Sequence, residues 1–445
     1  MSRGLPAHGS AARRRREMGV TNRESGIRIG LDARSIFMPR PRGTGRNLLD
    51  AYKLIPSMRP GWQFTLYHQR DVACETLREL PNVQARRIDI PGDRFDLWFQ
   101  LRLPAAVWHD RVDLLHLPAN AAPLRPLVPY VVTVHDLVPL TEAGGCSAVQ
   151  QRAFGRGVVR AVRGAVHIIS PSNATRDELC ERFHVDPDHV TVIPWAPDRG
   201  IADAVGETSG GALDAQIGRV RANYRLGRGW LFNFGGSSPR KNVRGLLAAY
   251  ARLSRALRDE VQLVVVGCEP ASFRAELEER ARRLDVQADC RLLGFVPHED
   301  LPGLLCGARG LVMPSLCEGF GLPILDAFAC GTPVLTSDLS SMPEVAGQAA
   351  VYCDPRSPMS IAEGIARLLD PACAERLRLA GYERLQEFSW ERTARLMCEV
   401  YQRCVSQIAP QSDKPARRGG QRFSLSPESA SRRAAVMIPT ETCGV

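Results

Sequence analysis

Lysine is almost missing from this sequence. Of its 58 basic side chains only three are Lys (Lys53, Lys241 and Lys414), and Arg carries the rest of the positive charge. Long hydrophobic runs are missing as well. No stretch reaches the roughly eighteen apolar residues of a membrane-spanning helix. The basic start is not followed by an apolar segment, which argues against a secretory signal, so the sequence reads as cytoplasmic, with the inner face of the membrane as its possible surface. The thirteen cysteines form no C-x-x-C pair and no Cys/His zinc spacing, so neither a disulfide framework nor a metal site is assigned. Aromatic residues make up 6% and do not interleave with the arginines, which excludes a nucleic-acid motif. Also absent is a Gly-x-Gly-x-x-Gly directly after the first strand. Gly43-Thr-Gly45 lacks the third glycine and lies a full loop away, which excludes a nicotinamide dehydrogenase.

What is present suits a two-domain globular enzyme. The chain has 445 residues, 44% hydrophobic and 24% charged, enough for two ordinary cores. The net charge of +10 is concentrated at the ends. Residues 1–26 hold six Arg against two Glu, and residues 409–445 hold six basic against three acidic side chains. These tails read as disordered and solvated, and their functional reading is weak attraction to an anionic membrane surface.

Between the tails, short β-branched runs alternate with amphipathic stretches, the pattern of parallel α/β domains. Strands are expected at 27–31, 64–67, 112–116, 130–134, 165–169 and 191–193, then at 230–234, 262–266, 291–293, 310–313 and 333–336. Helices are expected at 46–54, at 242–257 and through 360–408. The division is a basic tail (1–26), a first Rossmann-like domain (27–206), a Gly/Ser/Ala linker (207–216), a second Rossmann-like domain (217–386), a C-terminal helix (387–408) and a second tail (409–445).

In such sheets ligands bind beyond the carboxyl ends of the strands. After strand 230–234 comes Gly235-Gly-Ser-Ser-Pro-Arg240-Lys241-Asn242, opening a helix. Glycines allow backbone amides to approach an anion, a helix N-terminus adds partial positive charge, and Arg240 and Lys241 add two full ones. A turn of this kind also needs Gly for purely structural reasons, so the segment alone leaves both readings open. The scarcity of Lys favours a functional Lys241, a compact point charge for phosphate. After strand 310–313 comes Glu318-Gly-Phe-Gly-Leu-Pro-Ile-Leu-Asp326, where Pro323 opens a helix. One carboxylate in a loop and one on the following helix can grip a polyol at two points. An acid near a helix N-terminus also serves as dipole compensation.

Together these segments resemble family 4 of the retaining glycosyltransferases, of the GT-B fold. The resemblance rests on Glu318 and Asp326, on the Gly235 to Asn242 turn, and on Leu293-Gly-Phe-Val-Pro297. It also rests on Ser341-Met-Pro-Glu-Val-Ala-Gly347, on Gly43-Thr-Gly45-Arg46 and on Val132-Thr-Val-His135-Asp136. It spans residues 27–408 and implies a nucleotide-diphospho-sugar donor held in a cleft between the domains, with the last helix crossing back to the first. Carried over, Arg240 and Lys241 would neutralise the diphosphate and Glu318 would face the sugar hydroxyls beside Phe320, Gly321 and Leu322. Asp326, one methylene shorter than the family's usual Glu, would hold the ribose. Gly43 and Gly45 would let the N-terminal loop close over the phosphates, Gly236, Val296 and Pro297 would complete the donor site, and His135 would lie near the reacting carbon. A core histidine after a strand is the plainer reading of His135. The implied reaction is metal-independent hexose transfer with retention, leaning to GDP-mannose and to a glycan or lipid-linked acceptor of a polysaccharide pathway. An inverting transferase, a sugar-nucleotide epimerase and an inactive nucleotide-sugar-binding scaffold are the alternatives of the same fold.

Overall fold

The computed structural model describes residues 26–39, 43–70, 74–90, 96–206 and 210–408. Apart from Gly26, both expected tails lie outside these residues. No helix among the described residues is long and apolar enough to cross a membrane.

Two parallel sheets organise the chain, as the alternation predicts. The first contains β1 (Arg28–Asp32), β2 (Gln63–His68), β3 (Val83–Arg87), β4 (Leu114–Leu117), β5 (Tyr130–Thr133), β6 (His167–Ser170) and β7 (Val190–Val192), in the order β3-β2-β1-β4-β5-β6-β7. The second contains β8 (Gly229–Phe234), β9 (Val261–Val266), β10 (Cys290–Leu292), β11 (Gly310–Met313), β12 (Val334–Ser337) and β13 (Ala350–Cys353), in the order β10-β9-β8-β11-β12-β13. Every pairing is parallel. Strands covered on both faces are predominantly apolar, and β4, β5, β6, β9, β11 and β12 are buried along their whole length.

Strand order reverses between β1 and β4 in the first sheet and between β8 and β11 in the second. Such reversal points open a crevice at the carboxyl ends of the strands. Directly beyond β8 and β11 lie the Gly235 turn and the Glu318 loop.

Several boundaries differ from expectation. β3 and β13 do not appear in the sequence reading; β3 reads Val-Gln-Ala-Arg-Arg and has no fully buried residue, so it carries no apolar signal. The stretch at 242–257 is two helices, Val243–Tyr250 and Arg255–Glu260, because Ser254 starts a new one by accepting the amide of Leu257. Of the expected linker, 207–209 lie outside the described residues, while Gly210–Asn223 is helical. Its composition is that of a spacer, but Val220 is fully buried and the helix packs on Leu301–Cys306. Gly43 and Gly45 are the first turn of helix Gly43–Tyr52 and not part of a loop.

The last helix, Trp390–Ile408, crosses back onto the first domain. Trp390 Nε1 donates to the Pro197 carbonyl at 2.8 Å, and Thr393 Oγ1 to that of Pro194 at 2.6 Å. Deeper in, Tyr401 joins Tyr52 at 3.0 Å and His116 Nδ1 at 2.8 Å, while His116 Nε2 meets Thr133 Oγ1 at 2.8 Å. All four side chains are fully buried, and each polar atom of the chain has its partner. Buried polar groups are tolerated only on that condition.

Candidate active site

A cavity of about 520 Å³ opens between the two sheets, and residues of both halves line it. Its lining includes Gly43, His135, Arg240, Lys241, Val296, Glu318, Phe320, Gly321, Leu322 and Asp326. The sequence-predicted residues Gly45, Gly236 and Pro297 are not part of its wall; Gly45 and Pro297 each adjoin residues that are, and a Cβ on Gly236 would lie 4.0 Å from the Lys241 side chain.

The cationic side is built by a turn that only this sequence pattern permits. A Cβ on Gly235 would lie 2.6 Å from the Val265 side chain and 2.9 Å from the Val266 carbonyl. Gly236 has φ of 131°, a conformation L side chains avoid. Pro239–Lys241 then forms one 3-10 turn. Asn242, left-handed at φ 53°, donates to the carbonyls of Pro314 (3.0 Å) and Pro355 (2.7 Å). Those bonds fasten the turn to the loop after β11 and to the segment after β13.

Glu318 receives both cations. Lys241 Nζ donates to its Oε1 at 2.8 Å, Ser315 Oγ to the same oxygen at 2.9 Å, and Arg240 Nη1 to Oε2. The carboxylate is buried. Burial pushes it toward protonation, but the charges of Lys241 and Arg240 outweigh burial and hold its pKa below the usual range. The loop is fixed from behind: Ser340 Oγ donates to the Glu318 carbonyl at 2.6 Å, and Ser341 Oγ to that of Phe320 at 2.8 Å. Gly321, with φ of 106°, turns the chain into helix Leu322–Ala329.

Asp326 is the fifth residue of that helix. Its Oδ1 accepts the backbone amide of Asp198 at 2.9 Å, so the shorter acid holds the stretch just past β7. Burial, with the charge of Asp198 adding to it, pushes the Asp326 pKa up to about 7, against that hydrogen bond and the charge of Arg46. Asp198 itself links both halves: Arg46 Nη1 lies 3.3 Å from its Oδ2 and His298 Nε2 3.0 Å from its Oδ1, and Arg46 also meets His298 Nδ1. Burial raises the Asp198 pKa, but His298 and Arg46 together bring it below its ordinary value.

His135 lies just past β5. Its Nε2 donates to the Pro118 carbonyl at 2.7 Å, and its ring stacks on Trp195 with centroids 5.9 Å apart. Burial lowers its pKa, opposed by that hydrogen bond and by Asp136. The imidazole is therefore neutral, with the proton on Nε2 and the lone pair on Nδ1. Beyond the Pro118 partition lies a second cavity of about 300 Å³, at the reversal point of the first sheet. It is lined by Asp32, Arg34, Ser35, Met38, Gln69, Arg70, Pro118 and Ala119.

Two contacts draw the halves together beside the site. Ser172 Oγ donates to the Gly319 carbonyl at 2.7 Å, and a Cβ on Gly319 would sit 2.1 Å from the His135 carbonyl. Glu344 accepts the amides of Asn173 (2.8 Å) and Ala174 (3.2 Å) and the Asn173 side chain (2.7 Å). It thereby caps helix Asn173–Phe183 from the other half. Sequence reasoning gives no role to Arg46, Ser172, Asp198, His298 or Glu344. Three of them do carry a positional signal, since Ser172, Asp198 and His298 sit just beyond the carboxyl ends of β6, β7 and β10.

Residues 225–385 match the family described as "Glycosyl transferases group 1", and residues 58–198 match "Glycosyltransferase Family 4". The chain belongs to the group 1 glycosyltransferases. It is similar to O-antigen chain mannosyltransferase B of Escherichia coli, 32% identical over 265 residues, or 59% of this chain and 67% of the relative. It is also similar to a glycogen synthase of Mycobacterium tuberculosis, 32% identical over 282 residues, 62% of this chain and 63% of that enzyme. The crystal structure of Anabaena HepE in complex with UDP and glucose shares the fold: its TM-score is 0.64 at 20% identity, over 84% of this chain and 99% of HepE. This glycosyltransferase thus has the two-domain GT-B architecture, and its family makes it a hexosyltransferase.

Proposed function

We propose that this glycosyltransferase moves a hexose, mannose foremost, from a nucleotide-diphospho-sugar such as GDP-mannose to a hydroxyl of a glycan or lipid-linked oligosaccharide, retaining the anomeric configuration. The observation that carries this reading is the triad of Arg240, Lys241 and Glu318, converging in the interdomain cavity at the reversal point of the second sheet. Two cations held together by one buried carboxylate make a preformed anion site. A donor diphosphate arriving there takes over both charges and frees Glu318 for the sugar hydroxyls. The name of the mannosyltransferase relative supports the sugar, and the UDP bound to HepE supports a nucleotide donor.

On this reading the bond from the anomeric carbon to the diphosphate oxygen breaks while the acceptor oxygen bonds that carbon from the same face. The acceptor proton passes to the departing diphosphate. Arg240, Lys241 and the amides at the start of helix Gly43–Tyr52 stabilise the leaving charge, so no divalent metal is called for. Neutral His135 borders the reacting centre, and the acceptor hydroxyl enters the same interdomain cavity. The test is mass-detected hexose transfer from GDP-, UDP-, ADP- and dTDP-hexoses in the presence of EDTA, with the product anomer read by NMR. Transfer from GDP-mannose with retention is expected. Complete dependence on Mn²⁺ or Mg²⁺, the opposite anomer, or release of a free epimerised nucleotide-sugar would each overturn the corresponding part.

A further inference from the structure

Exposed large apolar side chains are unevenly spread over this protein. Twelve are more than a third exposed among the described residues, and five of these fall between residues 97 and 127: Leu97 (41%), Leu101 (62%), Trp108 (65%), Leu124 (61%) and Leu127 (53%). The first three sit four and seven residues apart along one continuous helical segment, a π-helical turn Trp98–Arg102 running into helix Leu103–His109. That spacing places them on one outward face, while Trp98, Leu103 and Val107 fill the core on the other. Leu124 joins the same ridge, because its amide donates to Gln100 Oε1 of that helix at 2.9 Å, and exposed Leu127 follows three residues later.

Among the described residues the balance of charge around the ridge is positive, since Asp89, which shares a pocket with Arg102, is itself paired with Arg87. Arg102, Arg111 and Arg125 are exposed. The acids between residues 96 and 127 are each held by an arginine from elsewhere: Asp96 by Arg34, Asp110 by Arg86 and Asp113 by Arg28. No acid of that stretch is therefore left to balance the three arginines. An apolar ridge of Leu and Trp with an arginine rim matches an anionic lipid interface, where the apolar side chains enter the acyl boundary and the guanidinium groups stay at the headgroups.

We infer that this ridge is the face by which the enzyme docks on an anionic membrane surface. The inference stands apart from the donor and sugar proposed above. Its placement adds a functional sense: Arg34 lines the second cavity and lies over the rings of Trp98 and Phe99, 4.5 and 4.7 Å from their centroids. The ridge thus begins at the rim of the second cavity, at the reversal point of the first sheet, so a docked enzyme has that cavity beside the lipid surface.

The experiment is co-sedimentation of the full chain with vesicles of phosphatidylcholine alone and of phosphatidylcholine mixed with phosphatidylglycerol. The comparison variant is Leu101→Glu with Trp108→Glu, whose exposed positions leave the core untouched; its fold is checked by thermal melting. The parent is expected to sediment with the mixed vesicles only, and the double variant to lose about tenfold or more of that partitioning. Both proteins keep the basic terminal segments, so undiminished binding by the variant would assign membrane attraction to those segments and overturn the proposal. Equal binding to both vesicle types would remove the arginine rim from it. If the parent ignores vesicles but forms a dimer that the variant does not, the ridge is a contact between copies and the proposal falls.

Discussion

Glu344, in the half that carries the Arg240, Lys241 and Glu318 cluster, accepts the backbone amide of Asn173 in the other half at 2.8 Å. A carboxylate at a helix N-terminus is attracted both by the unpaired amides and by the helix dipole. The contact lies next to Ser172, which holds the Gly319 carbonyl, so it fixes His135 against the Glu318 loop. Glu344→Gln keeps an acceptor oxygen but loses the charge, and kcat/KM for transfer is expected to fall about fivefold; Glu344→Ala is expected to cost about thirtyfold. Steady-state kinetics with thermal melts provide the check. Unchanged kcat/KM in the Ala variant would remove this contact from catalysis.

Lys241→Ala is expected to cut turnover about 100- to 1,000-fold, the usual effect of deleting one stabiliser of transition-state charge. The fold should survive, because Arg240 and Ser315 still hold Glu318. Near-normal turnover in a folded variant would exclude Lys241 from the mechanism.

Asp326 predicts a pH effect on stability. Its pKa of about 7 in the folded protein stands above the roughly 3.9 of an unfolded Asp. Between these values the folded state holds the proton more tightly, so this group's contribution to stability falls as pH rises through the window. Asp326→Asn can still accept the Asp198 amide without titrating. Its melting temperature relative to the parent should therefore rise from about pH 5 to about pH 8. A constant difference would show that Asp326 does not titrate there.

His116 works in the opposite direction. Burial lowers its pKa to about 3 in the folded protein, with His135 contributing, against about 6.5 unfolded. Below about pH 6.5 the unfolded chain takes up this proton first, so stability is lost as the solution is acidified toward pH 3. His116→Gln should be less stable at neutral pH, because its links to Tyr401 and Thr133 are disturbed. Its acid slope should be shallower by up to one proton, about 1.4 kcal/mol per pH unit. Urea unfolding at a series of pH values measures both.

Much of this architecture is legible in the chain because buried parallel strands announce themselves as apolar runs. Leu231-Phe-Asn-Phe234 and Leu311-Val-Met313 are followed by Gly and Pro, and the residues after them are the ones that meet at Glu318 in the cavity wall. The shorter Asp326 is visible as an oddity, but its partner is not. The Asp198 amide lies 128 residues away, and a backbone donor leaves no trace in side-chain identity. Asp198 and His298 are given no role for a related reason, and Glu344 stands only as a member of the Ser341 to Gly347 block: each acts across the cleft, and periodicity reports only on the element a residue belongs to. β3 escapes because an edge strand with polar faces lacks the alternation that marks a strand.

The closing helix Trp390–Ile408 has a consequence for the order in which the molecule is made. Tyr52, His116 and Thr133 leave the ribosome early, yet the hydroxyl that completes their hydrogen-bond chain belongs to Tyr401. Until synthesis reaches that helix, the groove it fills on the first domain stays uncovered. The second domain, whose strands are contiguous from β8 to β13, has no such debt to a distant segment. The first domain is begun first and finished last.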